Sequence, residues 1–170
     1  NFMRVLITGI SGLLGRHLIQ HLPGKRSDTL GLYRRHPLYD PRLLSKRVNL
    51  LSPDFQRIIS DFGPDVIIHC AGIANVKEVD AKPDIAHRLA LDVTEELSKL
   101  SSSIGARLIF ISTDSVFGFS TSFNKEDDPT NPTTLYARLK LESERIIAAY
   151  NPNHVIVRTR FYGDGPPGSH

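Results

Sequence analysis

Two side chains in the C-terminal part of the chain form a pair that could carry out proton chemistry. Tyr136 and Lys140 are four residues apart and follow a short loop that contains Asn131 and Pro132. On a helix, positions i and i+4 lie on one face, so the phenol and the ammonium group can converge on one bound molecule. A nearby cation stabilises a phenolate, so we expect Lys140 to lower the pKa of Tyr136. The pair predicts a tyrosine that exchanges a proton with a substrate.

A second group of residues lies near the N-terminus, where three glycines stand at three-residue spacing after an apolar run. In a strand–turn–helix unit, such glycines allow a tight turn, a close approach of the backbone to a pyrophosphate, and packing of the helix on the strand. The alternative is a glycine-rich turn that binds nothing. The residues expected to line this phosphate site are Gly9, Ser11, Gly12, Leu13, Leu14 and Gly15.

Alternating strands and helices must position these two groups. Apolar and β-branched runs predict strands at 4–8, 29–33, 47–49, 65–70, 107–112 and 154–159. Amphipathic segments predict helices at 13–22, 54–61, 83–102 and 133–150. This alternation predicts one α/β domain, a doubly wound parallel sheet of the Rossmann type. Ligands of such sheets bind beyond the carboxyl ends of the strands, where both groups fall.

Composition limits the classes of function. A chain of 170 residues fits one domain, and 21 basic against 18 acidic residues are too balanced to indicate nucleic-acid binding. No apolar run approaches the ~18 residues of a membrane span, and no signal sequence opens the chain. The single cysteine, Cys70, argues against a disulfide scaffold and fits a reducing, cytoplasmic location. The seven histidines are scattered without ligand spacing, so we expect no metal site.

Four further local motifs accompany the glycines and the Tyr-Lys pair. They are Ile68-His69-Cys70-Ala71-Gly72, Ile111-Ser112-Thr113-Asp114-Ser115-Val116-Phe117-Gly118, Asn131-Pro132 four residues before Tyr136, and Val157-Arg158-Thr159-Arg160-Phe161-Tyr162-Gly163. Together these motifs resemble the extended short-chain dehydrogenase/reductases. Within them the chain is most similar to the dTDP-4-dehydrorhamnose reductase type and to the regulatory β subunit of methionine adenosyltransferase. The likeness extends over about residues 3–163.

The resemblance implies three catalytic residues. Thr113 would hydrogen-bond the substrate carbonyl, Tyr136 would act as general acid, and Lys140 would lower the pKa of Tyr136 and hold ribose hydroxyls. Asp114 has two interpretations, since it could assist a substrate hydroxyl or cap the turn that follows the fifth strand. His69 is expected to be an interior histidine and Cys70 a small buried apolar group.

The predicted cofactor site continues along the ends of the strands. Arg34 and Arg35 follow the second strand, where NAD-binding relatives have an acidic residue, and guanidinium groups pair well with a 2′-phosphate. We therefore expect NADP(H) to be favoured over NAD(H), the alternative being a solvated pair of arginines. The resemblance adds contacts near the adenine and the nicotinamide ribose, made by Asn49, Leu50, Cys70, Ala71, Gly72, Tyr136 and Lys140.

The resemblance implies an NADPH-dependent reductase of a nucleotide-linked 4-keto sugar. Two alternatives stay open: a catalytically silent NADP-binding regulatory subunit, and a nucleotide-sugar epimerase or dehydratase. The expected partners are a nucleotide sugar and either a second copy of the chain or a regulated enzyme. Residues 1–163 are expected to form the NAD(P)-binding domain and 164–170 a linker or tail, with the small C-terminal substrate domain of the relatives apparently missing.

Overall fold

Six parallel strands form one sheet in the computed structural model, which describes residues 3–22, 28–72, 76–119 and 123–161. Their order across the sheet is β3-β2-β1-β4-β5-β6. This order, with β2 and β3 on one side of β1 and with β4, β5 and β6 on the other, confirms the predicted doubly wound Rossmann-type sheet. The strands are β1 (Val5–Thr8), β2 (Thr29–Tyr33), β3 (Leu44–Arg47), β4 (Val66–His69), β5 (Arg107–Thr113) and β6 (His154–Thr159).

Helices cover both faces of the sheet. On one face, Phe55 and Ile59, Leu97, and Ile147 project from three helices onto Leu6 and other buried strand residues. On the opposite face, the first helix packs on β1. The helices are α1 (Leu13–Ile19), α2 (Asp54–Phe62), α3 (Val76–Ala81), α4 (Pro83–His87), α5 (Val93–Ser103) and α6 (Leu135–Tyr150).

Three elements differ from the sequence prediction. The third strand lies at Leu44–Arg47, earlier than the predicted 47–49, because this edge strand is exposed along its length and has no apolar pattern. The predicted helix at 83–102 is divided by a π-helical turn at Arg88–Asp92. The short helix Val76–Ala81 was not predicted, since its only buried residue is Val79.

The parallel register brings the site residues to one edge of the sheet. Thr8 of β1 pairs with Leu32 of β2 on one side and with His69 of β4 on the other. Thr113, the last residue of β5, pairs with Thr159 of β6. The segments that follow these strands therefore emerge at the same edge.

Two further predictions concern the end of the domain and the absence of a membrane span. The domain boundary at Gly163 and the tail at 164–170 lie outside the described residues. Within the described ranges, none of the helices combines the length and the apolar character that crossing a bilayer requires.

Candidate functional site

The glycine turn between β1 and α1 is shaped by close backbone contacts. Gly9 has φ +69°, and a Cβ on it would lie 2.8 Å from the amide nitrogen of Ala71, beyond the end of β4. A Cβ on Gly15 would lie 2.6 Å from the carbonyl oxygen of Ile10. Gly12 is the N-cap of α1 and supplies no side-chain cap. The turn therefore needs Gly9 and Gly15 for its own packing, and Gly12 leaves the start of α1 without an intervening side chain.

A cavity of about 540 Å³ lies at the carboxyl edge of β1, β2 and β4. Its lining includes all thirteen cofactor residues predicted on the strand ends and the glycine turn: Gly9, Ser11, Gly12, Leu13, Leu14, Gly15, Arg34, Arg35, Asn49, Leu50, Cys70, Ala71 and Gly72. Sequence reasoning missed seven lining residues: Leu32, Tyr33, His36, Val48, Glu78, Leu89 and Phe161. His36 directly follows the two arginines and Phe161 belongs to a quoted motif, whereas Glu78 lies on the helix that was not predicted.

Basic side chains form one rim of this cavity. Arg34, Arg35 and His36 are exposed and follow β2. Arg47, at the end of β3, donates a hydrogen bond from Nε to the carbonyl oxygen of Arg34 at 3.1 Å. This contact brings an additional guanidinium group next to the predicted phosphate-binding arginines, and strand pairing of β2 with β3 produces it.

Asn49 is already engaged in a local turn. Its side-chain oxygen accepts a hydrogen bond from the amide of Leu51 at 3.2 Å. A carbonyl oxygen has two lone pairs, so one acceptor position of Asn49 remains for an adenine amino group.

The predicted catalytic residues come together at the end of β5 and the start of α6. The Thr113 hydroxyl hydrogen-bonds the phenol of Tyr136. Thr134 is the N-cap of α6, and its hydroxyl accepts from the amide of Ala137 at 3.1 Å, which fixes the turn that carries Tyr136. Leu139, on the same helix, is buried against Val79. The start of α6 is thus anchored while its tyrosine lies beside β5.

Lys140 points into the protein toward β5. Its Nζ donates to the carbonyl oxygen of Ile111 at 2.8 Å and lies 4.6 Å from the ring centroid of Phe110. Burial lowers the pKa of Lys140 to about 8, and the neighbouring Cys70 and Glu144 oppose this shift. The ammonium group is thus held on the strand that ends in Thr113.

The expected effect of Lys140 on Tyr136 is not found. Burial raises the pKa of Tyr136, the hydrogen bond from Thr113 opposes that rise, and the charge of Asp114 adds to it. The prediction of a lowered pKa was wrong in direction because burial disfavours the phenolate and the Lys140 ammonium is bonded to Ile111. A raised pKa keeps Tyr136 protonated at neutral pH, which suits a proton donor.

Asp114 begins a 3₁₀ turn, but it is not the cap of that turn. The cap is Thr113, whose hydroxyl accepts from the amide of Ser115 at 3.2 Å. The Asp114 carboxylate instead pairs with Arg160 at 2.8 Å. The proposed capping role of Asp114 is corrected accordingly.

His69 is buried at the carboxyl end of β4, and Cys70, which follows it, is partly buried. Burial lowers the pKa of His69 to about 3, so the ring is neutral, and its Nδ1 lies 2.7 Å from the Thr8 hydroxyl. The same hydroxyl accepts from the amide of Ala71 at 3.1 Å. Burial raises the pKa of the Cys70 thiol to about 12. These findings agree with a structural histidine and an unreactive thiol.

A smaller chamber connects the two groups of residues. Tyr136 and Lys140 line a chamber of about 30 Å³ whose wall also includes Ala71 and Gly72. Since Ala71 and Gly72 line the larger cavity as well, Tyr136 and Lys140 lie next to the predicted cofactor site. In the parts of the chain that the structure describes, no cluster of His, Cys, Asp and Glu could hold a metal ion.

Several known proteins resemble this chain in sequence or in fold. It is 37% identical over 158 residues to the bovine (Bos taurus) methionine adenosyltransferase 2 subunit beta, covering 91% of this chain and 46% of that protein. A dTDP-4-dehydrorhamnose reductase from Clostridium acetobutylicum superposes with a TM-score of 0.79 at 30% identity. The match covers 96% of this chain and 56% of the reductase chain. A UDP-glucuronic acid 4-epimerase from Bacillus cereus, solved with UDP-glucuronic acid and NAD, superposes with a TM-score of 0.79 at 26% identity. The match covers 92% of this chain and 56% of the epimerase chain.

The chain spans about half the length of the relatives that it matches. The family model described as "RmlD substrate binding domain" matches residues 3–166, nearly the whole chain. The predicted likeness to the reductase and to the β subunit is thereby confirmed. The chain belongs to the RmlD substrate binding domain family.

Proposed function

We propose that this chain is the dinucleotide-binding part of a reductase that uses NADPH to reduce a nucleotide-linked 4-keto sugar. The observation that carries the proposal is that Tyr136 and Lys140 line a chamber that shares Ala71 and Gly72 with the cavity of the glycine turn. Thr113 lies beside Tyr136. The epimerase of similar fold was solved with NAD and UDP-glucuronic acid bound. This supports a nicotinamide dinucleotide and a nucleotide sugar as the ligand classes of this chain.

The cavity residues fit the parts of a dinucleotide. The glycine turn would hold the pyrophosphate, since Gly12 leaves the start of α1 open and side chains there would block it. Arg34 and Arg35 line the cavity and would pair with a 2′-phosphate, which NADPH has and NADH lacks. Arg47 does not line the cavity, but its guanidinium group is bonded to the Arg34 carbonyl and would add positive charge nearby. Asn49 would accept from the adenine amino group with its remaining lone pair.

The protein groups supply the proton and the orientation for the reaction. A bound NADPH supplies the hydride that reaches the carbonyl carbon of the ketone. Tyr136, protonated at neutral pH, donates its proton to the carbonyl oxygen, and the ketone becomes an alcohol. Thr113 hydrogen-bonds that oxygen and orients it. Lys140 places a positive charge beneath the site while it remains bonded to Ile111.

A second candidate is a regulatory subunit that binds NADP without catalysis. The observation that favours it is the 37% identity to a methionine adenosyltransferase β subunit, which is higher than the 30% to the solved reductase. In that case the same cavity would bind the dinucleotide and the stimulated partner would be another enzyme. Replacing Tyr136 with Phe distinguishes the two: a reductase loses at least about a hundredfold in rate, whereas partner stimulation persists.

Direct titration of NADPH and NADH against the chain tests the proposal. We expect NADPH to bind more tightly than NADH, and Arg34→Ala to reduce that difference. Arg57→Ala serves as the matched control, because Arg57 is an exposed arginine on α2 that does not line the cavity. Absence of binding for both nucleotides would refute the cofactor site. Equal binding of both nucleotides would refute only the preference for NADPH.

A further inference from the structure

A buried carboxylate on α6 has no part in the proposed reaction. Glu144 lies about two helical turns after Tyr136 and is only 4% exposed. Its oxygens accept hydrogen bonds from the Ser112 hydroxyl of β5 and from the Arg158 guanidinium of β6. Burying a carboxylate costs free energy unless the group is paired and hydrogen-bonded, so these two partners are needed. The same bonds hold the ends of two strands against α6.

The bond from Ser112 constrains the residue that follows it. Ser112 directly precedes Thr113, whose hydroxyl bonds the Tyr136 phenol. Successive side chains of a strand leave it on opposite sides, and the peptide between them is planar and rigid. A bond that holds the Ser112 side chain against α6 therefore limits the rotation of the strand about its own axis. The direction in which the Thr113 hydroxyl points depends on that rotation.

The Arg158 guanidinium holds the chain on the other side of Thr113. Its Cζ lies 5.0 Å from the centroid of the Phe117 ring, which makes a cation–π contact. Phe117 is the last residue of the 3₁₀ turn that Thr113 caps. Thr113 thus lies between two held positions, Ser112 before it and Phe117 after it. Both positions are connected to Glu144, the first directly and the second through Arg158.

We propose that Glu144 is a positioning residue for Thr113. By holding the strand and the turn on either side of it, Glu144 keeps the Thr113 hydroxyl at the Tyr136 phenol. The inference rests on the proposed function only for the reaction that these two hydroxyls serve. In that reaction, a displaced Thr113 would leave the substrate carbonyl misaligned with its proton donor. The positioning itself is a property of the chain without substrate and can be measured there.

The titration of Tyr136 reports where the Thr113 hydroxyl lies. The hydrogen bond from Thr113 lowers the pKa of the phenol, whereas burial and the charge of Asp114 raise it. Ser112→Ala removes the bond between β5 and Glu144 and leaves the ion pair of Glu144 in place. We expect the Tyr136 midpoint, measured by absorbance against Tyr136→Phe, to rise in Ser112→Ala toward its value in Thr113→Val. An unchanged or lower midpoint overturns the proposal.

A double-mutant cycle separates positioning from the other effects of each substitution. In a Thr113→Val background the hydroxyl is absent, so Ser112→Ala should no longer move the Tyr136 midpoint. Glu144→Gln is titrated in the same two backgrounds, where any direct effect of its lost charge on the phenol is present in both and cancels. We expect the midpoint to rise more with threonine at position 113 than with valine. Equal shifts in the two backgrounds would mean that Glu144 does not act through Thr113.

Ser101→Ala is the matched control for the loss of a buried serine hydroxyl. Ser101 is buried on α5, and its hydroxyl accepts from Asn151, so this variant should lose stability without a change in the Tyr136 midpoint. Circular dichroism at each pH defines the range over which every variant is folded. A midpoint shift as large as that of Ser112→Ala would refute positioning, since lost stability would explain both. No nucleotide enters these titrations, so their failure is separable from failure of the proposed function.

Discussion

The buried Glu144 carboxylate and the partly exposed Arg158 guanidinium form an ion pair that joins α6 to β6. Arg158 Nη2 lies 2.7 Å from Oε2 of Glu144, and its Nε contacts both carboxylate oxygens at 3.1 and 3.2 Å. The same carboxylate accepts from Ser112 of β5. Arg158 Nη1 donates to the carbonyl oxygen of Glu126 at 2.9 Å. One pair therefore connects the sheet, α6 and the loop that precedes α6.

Removing one partner of this pair should strongly destabilise the chain. Arg158→Met leaves the Glu144 charge buried and unpaired, and we expect the free energy of unfolding to fall by about 3 kcal/mol. The control is Arg145→Met, which breaks the exposed pair with Glu142 and should change the free energy by less than about 1 kcal/mol. Urea denaturation of both variants measures the difference. Equal losses would mean that burial does not strengthen the pair.

Gly9→Ala and Gly105→Ala separate backbone strain from steric contact. Both glycines have positive φ, +69° and +73°, but only Gly9 has neighbouring atoms in the way of a Cβ. Gly105→Ala should cost about 1–2 kcal/mol for the left-handed backbone alone. Gly9→Ala should cost roughly 1–3 kcal/mol more, since its Cβ would overlap the Ala71 backbone. Unfolding free energies check this order, and a Gly9→Ala variant no less stable than Gly105→Ala would contradict the contact.

The phenol of Tyr136 should titrate above the usual range of tyrosine. Burial raises its pKa, and the Thr113 hydrogen bond limits that rise. A spectrophotometric titration of the folded chain, compared with Tyr136→Phe, should isolate a phenol whose midpoint lies above pH 10, the ordinary value for a tyrosine. Thr113→Val should raise the midpoint further because the opposing hydrogen bond is lost. A midpoint below pH 10 would restore the expectation that Lys140 activates the phenol.

The Lys140 ammonium should lose its proton near pH 8. Burial lowers its pKa from 10.5 to about 8, so between these values the unfolded chain binds more protons than the folded chain. The Lys140 contribution to stability therefore rises with pH between 8 and 10.5. We expect NMR of labelled lysine to give a midpoint near 8 for Lys140, and the stability of the unaltered chain relative to Lys140→Met to increase over this interval. A midpoint near 10.5 would show that the group remains solvated.

The Lys140 measurement is best made with Cys70 replaced by Ala in both the otherwise unaltered chain and the Lys140→Met variant. This replacement removes a second titration whose effect on stability opposes that of Lys140. Burial raises the pKa of the Cys70 thiol from 9.0 to about 12, so its contribution to stability falls with pH in that interval. With Cys70 absent, the difference between the two proteins reports Lys140 alone.

Arg47 should contribute to the choice between NADPH and NADH. Its guanidinium group lies beside the predicted phosphate-binding arginines because it bonds to the carbonyl of Arg34. We expect Arg47→Leu to weaken NADPH binding by roughly fivefold, as the loss of one exposed charge contact would, and to leave NADH binding nearly unchanged. Arg57→Leu is the control for the loss of a positive charge elsewhere. Equal weakening of both nucleotides by Arg47→Leu would indicate a role in holding the loop instead.

The local pattern of the sequence determined most elements of the fold. Apolar β-branched runs identified five of the six strands within a residue or two, and the glycine spacing identified the turn after β1. The residues that line the cavity could be predicted because short motifs at successive strand ends must meet in a parallel sheet. β3 escaped this reasoning: an exposed edge strand such as Leu44–Arg47 has no buried face to leave a pattern.

Only the tertiary structure decided the electrostatics of the site and its long-range contacts. The sequence placed Tyr136 and Lys140 on one helix face, but burial and the Ile111 carbonyl determine where the ammonium lies and in which direction the phenol pKa moves. The contact of Arg47 with Arg34 and the hydrogen bond between Thr8 and His69 depend on packing between separate elements of the chain. Spacing along a chain encodes which faces are apolar, whereas a pKa or a buried hydrogen bond depends on all the groups that folding brings around it.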